Sequence, residues 1–167
     1  MRKLKSSRLF AIYIVIAAVL VVIDQITKKI VTTNMQIGEA IPDSEAFFSI
    51  HYVTNDGVSF SMLRGNPLFL IILQAALFII VAAVLVQFVR RNIHPLPCIA
   101  LTFIIAGGAG NLIDRVRLRY VVDFISVGNF PVWNFADMCI VGGCIVIAVY
   151  VIFISGREAK HNADRED

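Results

Sequence analysis

Read only for its apolar and polar positions, the chain falls into four long apolar runs separated by more polar stretches. The first extends from Leu9 to Ile23 and continues through Asp24-Gln25-Ile26-Thr27 toward Val31. The second covers Leu68 to Val89, opened by Pro67 and closed by Arg90-Arg91. The third covers Leu96 to Ile113 and ends at Asp114; the fourth covers Met138 to Gly156 and stops at Arg157. A helix needs about 20 apolar residues to cross a bilayer, and each run is near that length. The pattern therefore predicts a membrane all-α fold in one integral membrane domain, 1–167, with spans at about 9–31, 68–89, 96–113 and 138–156.

The connections differ in kind. Arg90–Pro95 is a short turn, whereas residues 32–67 and 114–137 form two longer loops that emerge on the opposite side. A loop as long as 32–67 is generally functional. Within it Ala46-Phe47-Phe48-Ser49-Ile50-His51-Tyr52-Val53 is aromatic and β-branched enough to be a strand, and Asn55-Asp56-Gly57 is a turn signal. Phe60, Met62 and Leu63 suit a short helix lying in the membrane interface, and Tyr120-Val121-Val122-Asp123-Phe124-Ile125 in the second loop reads as another strand. The expected fold thus adds a small extracytoplasmic β element and an interfacial helix to the four spans.

Composition agrees with this pattern. Hydrophobic residues make up 58% of the chain and charged residues 16%, with a mean hydropathy of +0.80. Soluble domains are about a quarter charged, so most of this surface faces lipid or other helices. The net charge of +3 is modest, and no basic cluster with interleaved aromatics points to nucleic acid. Basic residues gather instead beside the spans: Arg2, Lys3, Lys5 and Arg8 before the first, Arg90 and Arg91 in the short turn, Arg157, Lys160 and Arg165 after the last. Four spans put these segments on one side, which the positive-inside rule makes cytoplasmic. Both termini are then cytoplasmic. Lys28, Lys29, Arg64, Arg115, Arg117 and Arg119 weaken the bias, and the arginines among them sit among aspartates, as members of a site would. No small-residue cleavage motif follows the first apolar core, so an uncleaved first helix is expected. Cys98, Cys139 and Cys144 lie in apolar stretches and share no metal-ligand spacing with His51, His94 or His161, which leaves them as packing residues.

Ionisable groups at membrane depth need a reason to be there, and five aspartates qualify. Asp24 stands four residues before Lys28, so an ion pair on one helix face is the preferred reading. Asp56 reads as a turn former. Asp114 ends the third helix beside Gly107, Gly108 and Gly110, where the dipole disfavours an acid; a partner such as Arg117 is expected, and anchor and site residue are equally good readings. Asp123 stands alone between Val121-Val122 and Phe124-Ile125. A carboxyl in apolar surroundings holds its proton more tightly, as an acid catalyst must, and here function is favoured. Asp137 reads first as the third residue of a capping box begun by Asn134.

The two loop-flank carboxyls change meaning together. Side by side they would share a proton, one drawing a proton from water and the other protonating a peptide carbonyl, as in aspartic proteases. Folding back one loop would join Asp123 and Asp137. Ser59, Ser61, Ser126 and Ser155 lack the context of a serine nucleophile.

At this point the sequence resembles the lipoprotein signal peptidase (signal peptidase II) family of bacterial inner membranes. Five motifs in order carry the resemblance: Asp24-Gln25-Ile26-Thr27-Lys28, Asn55-Asp56-Gly57-Val58-Ser59-Phe60, Gly110-Asn111-Leu112-Ile113-Asp114-Arg115, Val122-Asp123-Phe124 and Asn134-Phe135-Ala136-Asp137. The resemblance implies that Asp123 and Asp137 are the catalytic pair, that Asn55, Asn111, Arg115 and Asn134 line the site, and that Asp24, Lys28 and Asp114 support it. Gly57, Gly110 and Ala136 in the same motifs are counted with the site. It further implies an endopeptidase acting near the outer face of the cytoplasmic membrane; no metal or cofactor is expected, and the expected state is a monomer among membrane lipids. Its substrates would be diacylglyceryl-modified prolipoproteins, cut before the lipidated cysteine. Val58 stands where the family often has a smaller residue, and Trp133 where Phe is usual. Two rivals remain: a proton-coupled exporter using Asp24, and a scaffold subunit packed through Gly107–Gly110.

Overall fold

The computed structural model describes residues 2–42, 46–57 and 67–155. In chain order these form α1 (Arg2–Asn34), β1 (Ala40–Ile41), β2 (Phe48–Asn55), α2 (Pro67–Arg90), α3 (Pro95–Leu118), β3 (Val121–Val127) and α4 (Phe135–Val149), which continues as wider π-helical turns over Tyr150–Ser155. Four helices are long and apolar enough to cross a membrane, as the runs of apolar residues predicted. The helices outrun those apolar cores. α1 begins seven residues earlier than expected and ends three later, and α3 continues to Leu118. The expected interfacial helix at Phe60–Leu63 lies outside the described residues.

α3 is the hub of the bundle. Half of its most apolar window is buried inside the protein against 11% of each of the other three, which leaves α1, α2 and α4 to face lipid. Lipid tails give apolar side chains no incentive to leave them, so close backbone approach has to supply the packing. Small residues make this possible. A Cβ on Gly107 would meet the carbonyl of Ala136, one on Gly110 would meet Asp24, and one on Gly143 would come within 2.6 Å of the Ala100 carbonyl. At the end opposite the sheet, Tyr13, Leu85, Val89, Cys98 and Leu101 bring α1, α2 and α3 together.

The three strands form one antiparallel sheet in the order β1-β2-β3. The expected strands are present, each displaced by one or two residues, and β1 adds a two-residue edge the sequence did not suggest. β2 and β3 pair Phe48 with Val127 and Asn55 with Val121, with a bulge between Ile50 and Val53. Val31 of α1 packs with Tyr52, Val122 and Phe124 beneath the sheet. Trp133 makes backbone hydrogen bonds with Ile125 in both directions (2.7 and 3.0 Å). The loop after β3 thereby returns along that strand and starts α4 beside Asp123.

Candidate active site

α1 contributes the base of the site. Asp24 and Lys28 are one turn apart, so both face α3. Lys28 Nζ lies 2.9 Å from Asp24 Oδ2 and 2.8 Å from Asp114 Oδ2, and it donates to Asn111 Oδ1 at 3.0 Å. Asp24, Lys28 and Asp114 are each at most 3% exposed. Charges so deeply buried are tolerable only when paired and fully hydrogen-bonded. Gln25 Nε2 completes the cluster by donating to Asp24 Oδ2 (3.1 Å) and Asp114 Oδ1 (3.0 Å).

Asp114 corrects two expectations. It does not end α3: the helix runs another turn, placing Arg115 and Arg117 where cations suit the dipole, and Arg119 closes it in a left-handed conformation (φ 72°). Its ionic partner is Lys28, not Arg117, which is exposed. Asp114 Oδ2 also accepts from the Val122 amide (3.3 Å), which ties the start of β3 to α3.

The start of α4 is held from two sides. Asn134 caps it, accepting from Asp137 N at 3.0 Å while Asp137 Oδ2 accepts from Asn134 N at 3.3 Å, a reciprocal capping box. Asp24 Oδ1 reaches across from α1 to accept from the Ala136 amide (3.0 Å). Two amides of the first turn of α4, those of Ala136 and Asp137, are therefore satisfied by side chains of the site.

Asn134, fully buried, is the joint between the two candidate carboxyls. Its Nδ2 donates to Asp123 Oδ1 (2.6 Å) and to Asn111 Oδ1 (3.1 Å), while its other atoms close the capping box with Asp137. Asn111 Nδ2 donates to Asp137 Oδ1 (2.8 Å), and Asn55 Nδ2 donates to Asp123 Oδ2 (2.9 Å). Asp123 sits opposite Val53 in the sheet, so Asn55, two residues on, projects from the same face. Burial pushes the Asp123 carboxyl up to about 6, and the nearby Asp137 charge adds to this; Asn55, Asn134 and Lys28 partly offset it. Its isolation among apolar residues in the sequence anticipated that direction.

A groove of about 690 Å³ opens over the pair. Leu70, Leu73 and Leu77 of α2 and Ile140 and Val141 of α4 make it apolar, and Asn55, Asn111, Arg115, Asp123 and Asp137 make one end polar. Arg115 donates to Gln74 Oε1 (2.8 Å) and to the Gly57 carbonyl (3.1 Å). The 55–57 turn is held by Asn55, whose Oδ1 accepts from Gly57 N (3.2 Å), and Asp56 lies exposed at the groove's rim. All twelve site residues expected from the sequence thus gather at one end of the bundle. Gln25 and Gln74 belong with them and were not anticipated. Both are amides in apolar helices, and Gln74 interrupts the run Leu68–Leu73. That interruption was the available signal.

The family model described as signal peptidase (SPase) II matches residues 16–153. The chain belongs to the signal peptidase II family. Lipoprotein signal peptidases resemble it over most of their length: one from Dehalococcoides mccartyi is 42% identical over 91% of this chain and 97% of its own. Another from Enterococcus faecalis is 34% identical over 95% and 99%. Two solved bacterial membrane enzymes share the fold, each with a TM-score of 0.74. One is 33% identical, covering 85% of this chain and 88% of that one; the other is 32% identical, covering 87% and 95%. Membership in the signal peptidase II family makes this multi-pass membrane protein a peptidase.

Proposed function

We propose that the chain is an aspartic endopeptidase that removes signal peptides from diacylglyceryl-modified prolipoproteins, cleaving before the lipidated cysteine. The observation that carries this reading is Asn134, which joins Asp123 and Asp137 at the polar end of an apolar groove. The groove suits an apolar signal helix and acyl chains, and its polar end suits the peptide bond between them.

One proton serves both carboxyls. We assign it to Asp123, whose carboxyl burial pushes up to about 6. Asp137, ionised, takes a proton from a water molecule as the water oxygen attacks the scissile carbonyl carbon, and Asp123 gives its proton to the carbonyl oxygen. The resulting diol collapses as the C–N bond breaks. Asp137 returns its proton to the departing cysteine nitrogen, and Asp123 recovers one from the collapsing hydroxyl. Asn111 and Asn55 hold the two carboxyls in orientation throughout.

Arg8, Arg90 and Arg91 mark the end of the bundle away from the site, which supports cytoplasmic termini and a site near the outer face of the bacterial cytoplasmic membrane. The test is cleavage of a purified diacylglyceryl-modified prolipoprotein in detergent by the wild type, Asp123→Asn and Asp137→Asn. Wild-type cleavage with both variants inactive is expected. Full cleavage by either variant overturns the two-aspartate mechanism.

A further inference from the structure

Of the α2 residues lining the groove, Leu70, Leu73 and Leu77 are apolar and Gln74 is not. An amide in a membrane span costs free energy unless both its ends are satisfied, and such residues commonly mark function. Gln74 is satisfied at both ends. Its Nε2 donates to the Gly108 carbonyl (3.0 Å), which fixes the plane of the amide, and its Oε1 accepts from Arg115 Nη1 (2.8 Å). On the other edge of the guanidinium, Nη2 donates to the Gly57 carbonyl (3.1 Å).

Both acceptors of Arg115 are neutral, which is unexpected for its surroundings. Asp123, Asp137 and Asp114 are all close enough to act on its charge. A guanidinium prefers a carboxylate, bound through two parallel N–H donors. Yet among the described residues the ion pairs within 4 Å belong to Lys28, with Asp24 and Asp114, and none to Arg115. One donor on each terminal nitrogen is instead taken by a neutral acceptor, Gln74 on Nη1 and Gly57 on Nη2. An Arg paired with the dyad would favour two ionised carboxylates and remove the proton they share.

We propose that Gln74 is a positioning residue whose amide holds the Arg115 guanidinium against α2, out of ion-pair reach of Asp123 and Asp137. The inference rests on the aspartic reading above. Gln74 touches no reacting atom. It acts on the carboxyl pair through Arg115, and it keeps a cation at the polar end of the groove without neutralising the dyad.

The test is the pH profile of kcat/KM for lipidated prolipoprotein cleavage by the full-length protein in detergent. In the wild type the alkaline limb marks loss of the shared proton. Gln74→Met keeps the side chain's length and removes its acceptor, so Arg115 turns to the carboxyls. An adjacent guanidinium lowers a carboxyl's pKa by about 1–3 units, so the limb moves down by about one pH unit or more. Gln74→Glu holds Arg115 more tightly and adds a negative charge near the pair, so the limb moves up. Packing damage would not give opposite signs. Where a variant turns over too slowly, the same shift is read from infrared titration of the protonated carboxyl band that Asp123→Asn abolishes. A limb or band that is unmoved in Gln74→Met, or moved the same way by both variants, overturns the inference. Wild-type cleavage by Asp123→Asn overturns instead the aspartic reading beneath it.

Discussion

Replacing Asp123 by Asn removes one titrating group from the groove and leaves its walls in place. In the folded protein this side chain is 2% exposed, and its carboxyl is pushed from the ordinary 3.8 up to about 6, by burial first and by the Asp137 charge after it. In the unfolded chain the carboxyl returns to its ordinary value. A carboxyl with a raised folded pKa favours the folded state while it is protonated. That contribution is complete below about pH 4 and is lost as pH rises through about 6. The shift is roughly two units at 1.36 kcal/mol each, or about 3 kcal/mol. The assay is unfolding free energy in one mild detergent, from about pH 4 to about pH 8, for the wild type and Asp123→Asn. Asn brings an amide that faces the donors of Asn55 or Asn134, which costs some stability at every pH. That offset cancels in the pH dependence. Relative to the wild type, the variant gains about 3 kcal/mol between the two ends of the range. A difference between the two curves that stays flat or falls with pH refutes the assignment of a neutral, buried Asp123.

Lys28→Met leaves Asp24 and Asp114 buried without their cation, and unfolding measurements should show a loss of about 3–5 kcal/mol. Gly110→Ala forces a methyl against Asp24 and Ala136 and should cost about 1–3 kcal/mol along with most activity, whereas Gly108→Ala, with open space around the new methyl, should leave both unchanged. Asn134→Ala removes the α4 cap, for about 1 kcal/mol, and the link between the carboxyls; the cleavage assay should show about a hundredfold or greater fall in kcat.

The spans were legible because a bilayer admits few alternatives to an apolar helix of fixed length. The strands were legible through their aromatic and β-branched residues, although β1, only two residues long, left no pattern. The Asp24–Lys28 pair followed from spacing within one helix and is present in the structure. Partners from different helices were harder to read. Arg117 lies only three residues from Asp114 in the sequence, but Lys28 reaches it because Gly110 lets α1 and α3 approach. The partners of Gln74 were hidden for the same reason: a lone amide in an apolar run does not announce an arginine and a backbone carbonyl in the next helix. The capping box of α4 was readable, but the local pattern did not show that its Asn also reaches Asp123.

The spacing of Asp24 and Lys28 bears on how the chain enters a bilayer. α1 is made before α3, and through that interval Asn111 and Asp114 cannot yet assist it. With its acid and base one turn apart, α1 offers the lipid a self-neutralised pair rather than two separate charges, and it can cross early and wait. When α3 follows, Asp114 joins a lysine already at depth, and insertion of the later helix is assisted by the earlier one. Moving Lys28 by two residues would separate the charges on α1 while keeping its composition, and would place the penalty at membrane insertion, before any fold exists to repair it.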